Sequence, residues 1–252
     1  MSLPAAAQGY TGASLLQRNI TFMADASSPL PVWQIITHLG SSSLLLPALA
    51  LVLSGLWEAG LRGVARRYAL HLALAVALTV FTKCLFFGWG IGIAALDFTG
   101  VSGHTLLATT ILPLVLRGIP WPALQRGGWL PALSAGLVLA VGVSRVVLGA
   151  HSVSEVVAGW LLGTAVVVPT LRALQAPAAE GPPRLLPHWA SKVAPLVLLL
   201  ALHSTSATYL PTHSLEVRLA LLVSGQGKPF ARHHLHRPAA PAPAQPSTSA
   251  TP

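Results

Sequence analysis

The chain has 252 residues, 53% of them hydrophobic and 8% charged, with a mean hydropathy of +0.67. That profile excludes an ordinary soluble globular domain, and several apolar runs approach the roughly 20 residues that cross a bilayer as helix. The formal charge of +9 is dispersed over loops and the C-terminal segment, which favours anionic lipid headgroups over nucleic acid as the counter-charge.

In chain order, residues 1–31 lack a basic start followed by a compact apolar core, so no cleavable secretion signal is expected there. Six apolar spans follow, at about 33–57, 68–89, 104–118, 129–148, 153–171 and 193–210. A lipid-exposed backbone must satisfy its own hydrogen bonds, so all six are expected to be helices. The fold class is therefore all-α, a polytopic membrane helix bundle over residues 32–210. Cys84 is the single cysteine, which excludes a disulfide framework and a cysteine-based zinc site.

The loops alternate in charge. Arg62, Arg66 and Arg67 follow the first span, Arg117 and Arg126 the third, and Arg172, Arg184 and Lys192 the fifth. By the positive-inside rule these face the cytoplasm, and the loops at 90–103 and 149–152 face the other side. Residues 211–237 form a basic juxtamembrane segment with Arg218, Lys228, Arg232 and Arg237, a charge the same rule disfavours outside. Its stretch "LEVRLALL", residues 215–222, reads as an amphipathic helix lying on the membrane. Residues 238–252 are rich in Pro, Ala, Ser and Thr and are expected to be disordered. The histidine run at 233–236 offers metal-ligand residue types in a flexible basic context, and neither a metal nor a cofactor is expected. His38, His71 and His203 lie singly near span ends and read as interfacial or packed residues.

Ionisable residues gather on the non-cytoplasmic face, where their proximity to hydrocarbon marks a functional site. Lys83 ends the second span. Ser102, Gly103 and His104 stand at the start of the third, where unpaired backbone N–H groups suit a phosphate. Arg145, His151 and Glu155 close the set at the junction of the fourth and fifth spans. His151 and Glu155 are four residues apart and share a helix face, so the carboxylate can orient one ring nitrogen and leave the other as nucleophile. Ser152 and Glu155 also fit a helix capping box, a role compatible with the first. Asp97, the carboxylate of the 90–103 loop, would repel phosphate if it pointed inward, and can instead pair with Lys83 or cap a turn.

These residues resemble the motifs of the type-2 phosphatidic acid phosphatase superfamily, membrane lipid phosphatases related to vanadium haloperoxidases. Ser144, Arg145, His151 and Glu155 reproduce the spacing of that family's third motif, with Glu for Asp. Val101, Ser102, Gly103 and His104 follow its second motif. Lys83 fits the first, but the positions of its Arg-Pro hold Gly90 and Ile91. The resemblance implies a metal-independent hydrolase with a phosphohistidine intermediate. His151 would attack phosphorus, Glu155 would hold His151, and His104 would act as general acid and base. Lys83, Ser102, Gly103 and Arg145 would bind the phosphate. Candidate substrates are phosphatidic acid, phosphatidylglycerol phosphate and a polyprenyl diphosphate such as undecaprenyl diphosphate. The compact loops fit a bacterial inner membrane, with the site facing the periplasm or outside. A lipid-phosphate carrier or scaffold and a phosphotransferase using the same site are the rival readings, and neither the lipid nor the oligomeric state is fixed by the residues.

Overall fold

The computed structural model describes residues 30–119, 128–175 and 212–236. Its helices are α1 (Leu30–His38), α2 (Ser42–Glu58), α3 (Arg62–Trp89), α4 (Gly103–Gly118), α5 (Trp129–Val147), α6 (Val153–Ala173), α7 (Thr212–Ser224) and the single turn α8 (Arg232–Leu235). Four stretches, Pro31–Glu58, Arg62–Trp89, Trp129–Val147 and Val153–Ala173, are long and apolar enough to cross a membrane. Their outer faces leave Leu70, Leu74, Phe81, Leu139 and Leu161 exposed, a surface suited to acyl chains. The first expected span is two helices, α1 and α2. They break at Gly40, where a Cβ would lie 2.7 Å from Val141 Cγ1 and 3.1 Å from the His104 carbonyl. The span expected at 193–210 lies outside the described residues.

Helix α4 occupies the centre, packed against α2, α3, α5 and α6. With 16 residues it is about 24 Å long, short of a full hydrocarbon crossing. Its buried threonines satisfy themselves locally: Thr109 Oγ1 donates to the Thr105 carbonyl at 2.6 Å, and Thr110 Oγ1 to that of Leu106 at 3.0 Å. Tyr68 of α3 donates to the Thr110 carbonyl at 3.0 Å, tying the two helices. Between α4 and α6 the contact is made through glycine. A Cβ on Gly159 would meet Thr105 Cβ at 3.0 Å, and one on Gly163 would meet Thr109 Cβ at 2.6 Å. Small residues spaced four apart allow this close approach, which in lipid replaces the missing hydrophobic drive.

The long α3 stops at Gly90, whose φ of 72° lets the Ile91 N–H bond back to the Leu85 carbonyl at 3.2 Å. The following loop folds on itself through the Ile93–Phe98 bridge and a 3₁₀ turn over Ala94–Leu96. It returns to α3, where Val101 N–H donates to Thr82 Oγ1 at 3.2 Å. Gly100, at φ 149°, leaves room there for Lys83, whose Cγ would sit 2.7 Å from an added Cβ.

The basic juxtamembrane segment expected at 211–237 carries helix α7. Helix α7 forms over the expected stretch but packs along α3, where Gly88 admits the Ala220 carbonyl and the Ser224 side chain. Its Leu215, Leu219, Leu222 and Val223 remain exposed.

The α4–α6 glycine contact gives a stability prediction. Replacing Gly163 with leucine overpacks the Thr109 contact and should lower stability in detergent by about 1–3 kcal/mol. Gly136, which has nothing within 4 Å of its added Cβ, is the control position. SDS-titrated unfolding of both leucine variants checks this, and equal midpoints would refute the packing account.

Candidate active site

Helix α5 ends at Val147, and Gly149 turns the chain with φ 65°. The N–H groups of Ala150 and His151 both fold back onto the Arg145 carbonyl, at 3.0 and 3.1 Å. Two residues later α6 begins with a complete capping box. Glu155 Oε2 accepts from the Ser152 N–H at 3.2 Å, and Ser152 Oγ accepts from the Glu155 N–H at 3.4 Å. The same Oε2 lies 2.7 Å from His151 Nδ1. Capping and histidine orientation are thus performed by one carboxylate. Because a carboxylate accepts, Nδ1 carries the proton, and Nε2 is the ring nitrogen left for the cavity that His151 lines. Burial lowers the His151 pKa from its ordinary value, the Glu155 hydrogen bond opposing it only in part.

The start of α4 is joined to this unit by main chain. Ser102 N–H donates to the Glu155 carbonyl at 3.1 Å. Ser102 is fully buried, its hydroxyl accepts from Thr105 Oγ1 at 2.9 Å, and it lies behind the cavity wall rather than on it. Through these bonds Ser102, expected as a phosphate-binding residue, fixes the helix start. It gives α4 no side-chain cap, so the first-turn N–H groups that begin at Gly103 and His104 stay open for an anion.

Lys83, Gly103, His104, Arg145 and His151 line one cavity of about 690 Å³. Lys83 Nζ reaches to 4.0 Å from the position of a Gly103 Cβ, beside the α4 N-terminus. Arg145 Nη1 donates to Thr37 Oγ1 at 2.9 Å, which anchors the guanidinium against α1. Beyond this polar end the walls are aliphatic, with Leu46, Val76, Val80, Leu106 and Leu107.

The C-terminal segment completes the site in a way motif spacing does not reveal. Glu216 of α7 pairs with Lys83 at 2.7 Å. Arg232 lines the cavity, and its Nη2 lies 3.0 and 2.8 Å from the two oxygens of Glu155. Asp97 pairs with Arg232 at 2.6 Å and with His236 at 2.8 Å, rather than with Lys83. The hydrogen bond from His236, aided by Arg232, holds its carboxyl below the usual carboxylate range against the opposing effect of burial. The histidine run is used structurally: His234 Nδ1 accepts from the Ala231 N–H at 2.9 Å. Among the described residues, no group of three or more His, Cys, Asp or Glu side chains is placed to hold a metal ion. The one available signal for these partners was scarcity, since the whole chain has 6 Asp and Glu.

Comparison with known proteins places this geometry in a family. The family model for the PAP2 superfamily matches residues 37–177, which include every motif residue named above. The chain is 39% identical over 215 residues to a Klebsiella pneumoniae protein described as an uncharacterized 22.5 kDa protein in the cps region. That match covers 82% of this chain and 99% of the relative. A crystal structure of a transmembrane PAP2-type phosphatidylglycerolphosphate phosphatase from Bacillus subtilis is similar with a TM-score of 0.47 and 22% identity, over 68% of this chain and 91% of that one. With its helices long and apolar enough to cross a membrane and its motifs gathered at one end of them, the chain is an integral membrane protein that belongs to the PAP2 superfamily.

Proposed function

We propose that the chain is a lipid phosphate phosphatase that hydrolyses a phosphomonoester or polyprenyl diphosphate through a phosphohistidine. Family membership supports a membrane lipid phosphatase in general. The finer reading is carried by one observation: His151 is held through Nδ1 by a buried glutamate, and it lines a cavity whose far walls are aliphatic. A polar end with Lys83, His104 and Arg145 suits a phosphate, and an apolar flank suits an acyl or prenyl chain.

In this reading His151 Nε2 attacks phosphorus and the bond to the leaving oxygen breaks. His104 protonates that oxygen, releasing the lipid alcohol or phosphate. Lys83, Arg145 and the N–H groups at the start of α4 hold the non-bridging oxygens and stabilise the charge that develops on them. Water then attacks the phosphohistidine, with His104 taking its proton, and inorganic phosphate leaves. The clustering of Arg62, Arg66, Arg67, Arg117 and Arg172 at the opposite ends of the helices supports a site on the non-cytoplasmic leaflet.

Phosphate release by the detergent-purified protein, in the presence of chelator, from phosphatidic acid, phosphatidylglycerol phosphate and undecaprenyl diphosphate tests the reading. His151→Ala should lose about 10³-fold or more of kcat, and Glu155→Gln about 10²–10⁴-fold. Glu155→Asp, with the carboxylate retained, should keep most of it. Release that persists in His151→Ala would remove the phosphohistidine from the mechanism.

A pH prediction follows from burial. The reactive form of His151 is neutral, and its pKa lies below the ordinary 6.5. Its acylation by diethyl pyrocarbonate, followed by peptide mass spectrometry, should therefore stay constant as pH falls to about 6.5 and decline only below. A decline centred above that value would contradict the buried, neutral histidine.

A further inference from the structure

We infer that Arg232, delivered to the cavity by the C-terminal segment, is a positioning residue that acts on His151 through Glu155. The inference rests on the function proposed above and concerns a residue outside the matched family region, which ends at residue 177.

Glu155 has no exposed surface and accepts hydrogen bonds from five groups. Thr99 supplies its N–H at 2.7 Å and its hydroxyl at 2.5 Å, and Ser152 its N–H at 3.2 Å. His151 approaches at 2.7 Å, and Arg232 Nη2 touches both carboxylate oxygens. Among the described residues, Arg232 is the Lys or Arg that forms an ion pair with this carboxylate. A buried carboxylate is costly without a counter-charge, and Arg232 is the group that touches both of its oxygens. Removing Arg232 therefore loosens the acceptor that fixes the His151 ring and keeps its proton on Nδ1.

The same guanidinium restrains Asp97. Nη1 lies 2.6 Å from Asp97 Oδ2 and 2.8 Å from its carbonyl. That contact neutralises the one carboxylate of the 90–103 loop beside a phosphate site. Since Nη1 and Nη2 are both committed to carboxylates, Arg232 acts through Glu155 and is not a phosphate clamp.

Delivery of Arg232 depends on glycines at the end of α3. The Phe230 N–H donates to the Phe87 carbonyl at 3.0 Å. A Cβ on Gly90, where φ is 72°, would lie 2.8 Å from the Phe230 ring, and one on Gly92 would lie 2.9 Å from Leu235 Cδ1. His236 closes the segment onto Asp97 at 2.8 Å. Gly90 stands at the position of the first-motif arginine. A side chain there would press on the Phe230 ring, in the stretch that carries Arg232.

The test uses the full-length protein in detergent micelles with phosphatidic acid as substrate. Wild type is compared with Arg232→Gln, Arg232→Lys and His151→Ala, and His151 acylation by diethyl pyrocarbonate is measured in parallel. Arg232→Gln should lower kcat about 10–100-fold, the order seen for groups that orient a reacting residue, with KM within about 3-fold. It should also slow His151 acylation several-fold. Arg232→Lys should fall between the two, because an ammonium supplies charge without the fork. Added guanidinium ion should restore part of the lost kcat. A raised KM with unchanged kcat would overturn the inference in favour of a phosphate clamp. Equal losses in Gln and Lys, with no guanidinium rescue and a lowered melting temperature, would reduce Arg232 to a structural strap. If wild type releases no phosphate from phosphatidic acid, phosphatidylglycerol phosphate or undecaprenyl diphosphate, or His151→Ala still does, the phosphatase reading has failed. The acylation rates then decide alone: slowed in Arg232→Gln, they sustain the inference, and unchanged, they overturn it.

Discussion

A carboxylate with no exposed surface, set at the first turn of a membrane helix, governs how the site end of this protein is built. Desolvating the charge of Glu155 is tolerable only if it meets donors on every side, and no single segment can supply them all. Ser152 and His151 come from its own helix start, Thr99 from the loop after α3, and Arg232 from the C-terminal segment. Each donor fixes the register of its segment against α6. The Glu155 main-chain carbonyl adds a fourth connection, receiving the Ser102 N–H and so setting where α4 begins. The mutual placement of His104 and His151 follows from one residue's hydrogen bonds.

Helix packing keeps that arrangement from drifting. In lipid, apolar faces gain little by meeting one another, so close contact depends on shape. Gly159 and Gly163 bring α6 against Thr105 and Thr109 of α4, and Gly142 of α5 accepts the Trp160 ring. The indole N–H of Trp160 in turn donates to the Val138 carbonyl at 3.1 Å. On α6 these contacts lie about one to two turns past Glu155. The polar cluster sets the register and the glycine contacts make it rigid.

Legibility from the residues divides along sequence separation. His151 and Glu155 are a local pair four residues apart, and the Ser152–Glu155 capping box is a four-residue pattern, so both are readable directly. The helix spans are readable because hydropathy and length are local too. Partners separated by 77 and 133 residues, as Arg232 is from Glu155 and Glu216 from Lys83, leave no periodic trace. A basic juxtamembrane segment shows no tie to the site until the glycines that seat it are placed against it. Gly40 is similar: it reads as part of an apolar span, and only the approach of Val141 and the His104 carbonyl shows why the helix breaks there. Ser102 is ambiguous for a related reason, since a hydroxyl at a helix start looks equally suited to phosphate and to bonding within the first turn.

Charge counting around the cavity connects the two halves of the chain. Lys83, Arg145 and Arg232 bring three permanent positive charges, and Asp97, Glu155 and Glu216 three carboxylates. These charges balance, which keeps three cations tolerable beside hydrocarbon. Glu155 is buried and held from every side, whereas Glu216 stands on α7, a helix whose outer face is exposed. The Lys83–Glu216 pair ties that helix to the end of α3 at a cavity both residues line, so the C-terminal segment is joined to α3 by charge as well as by the close approach at Gly88.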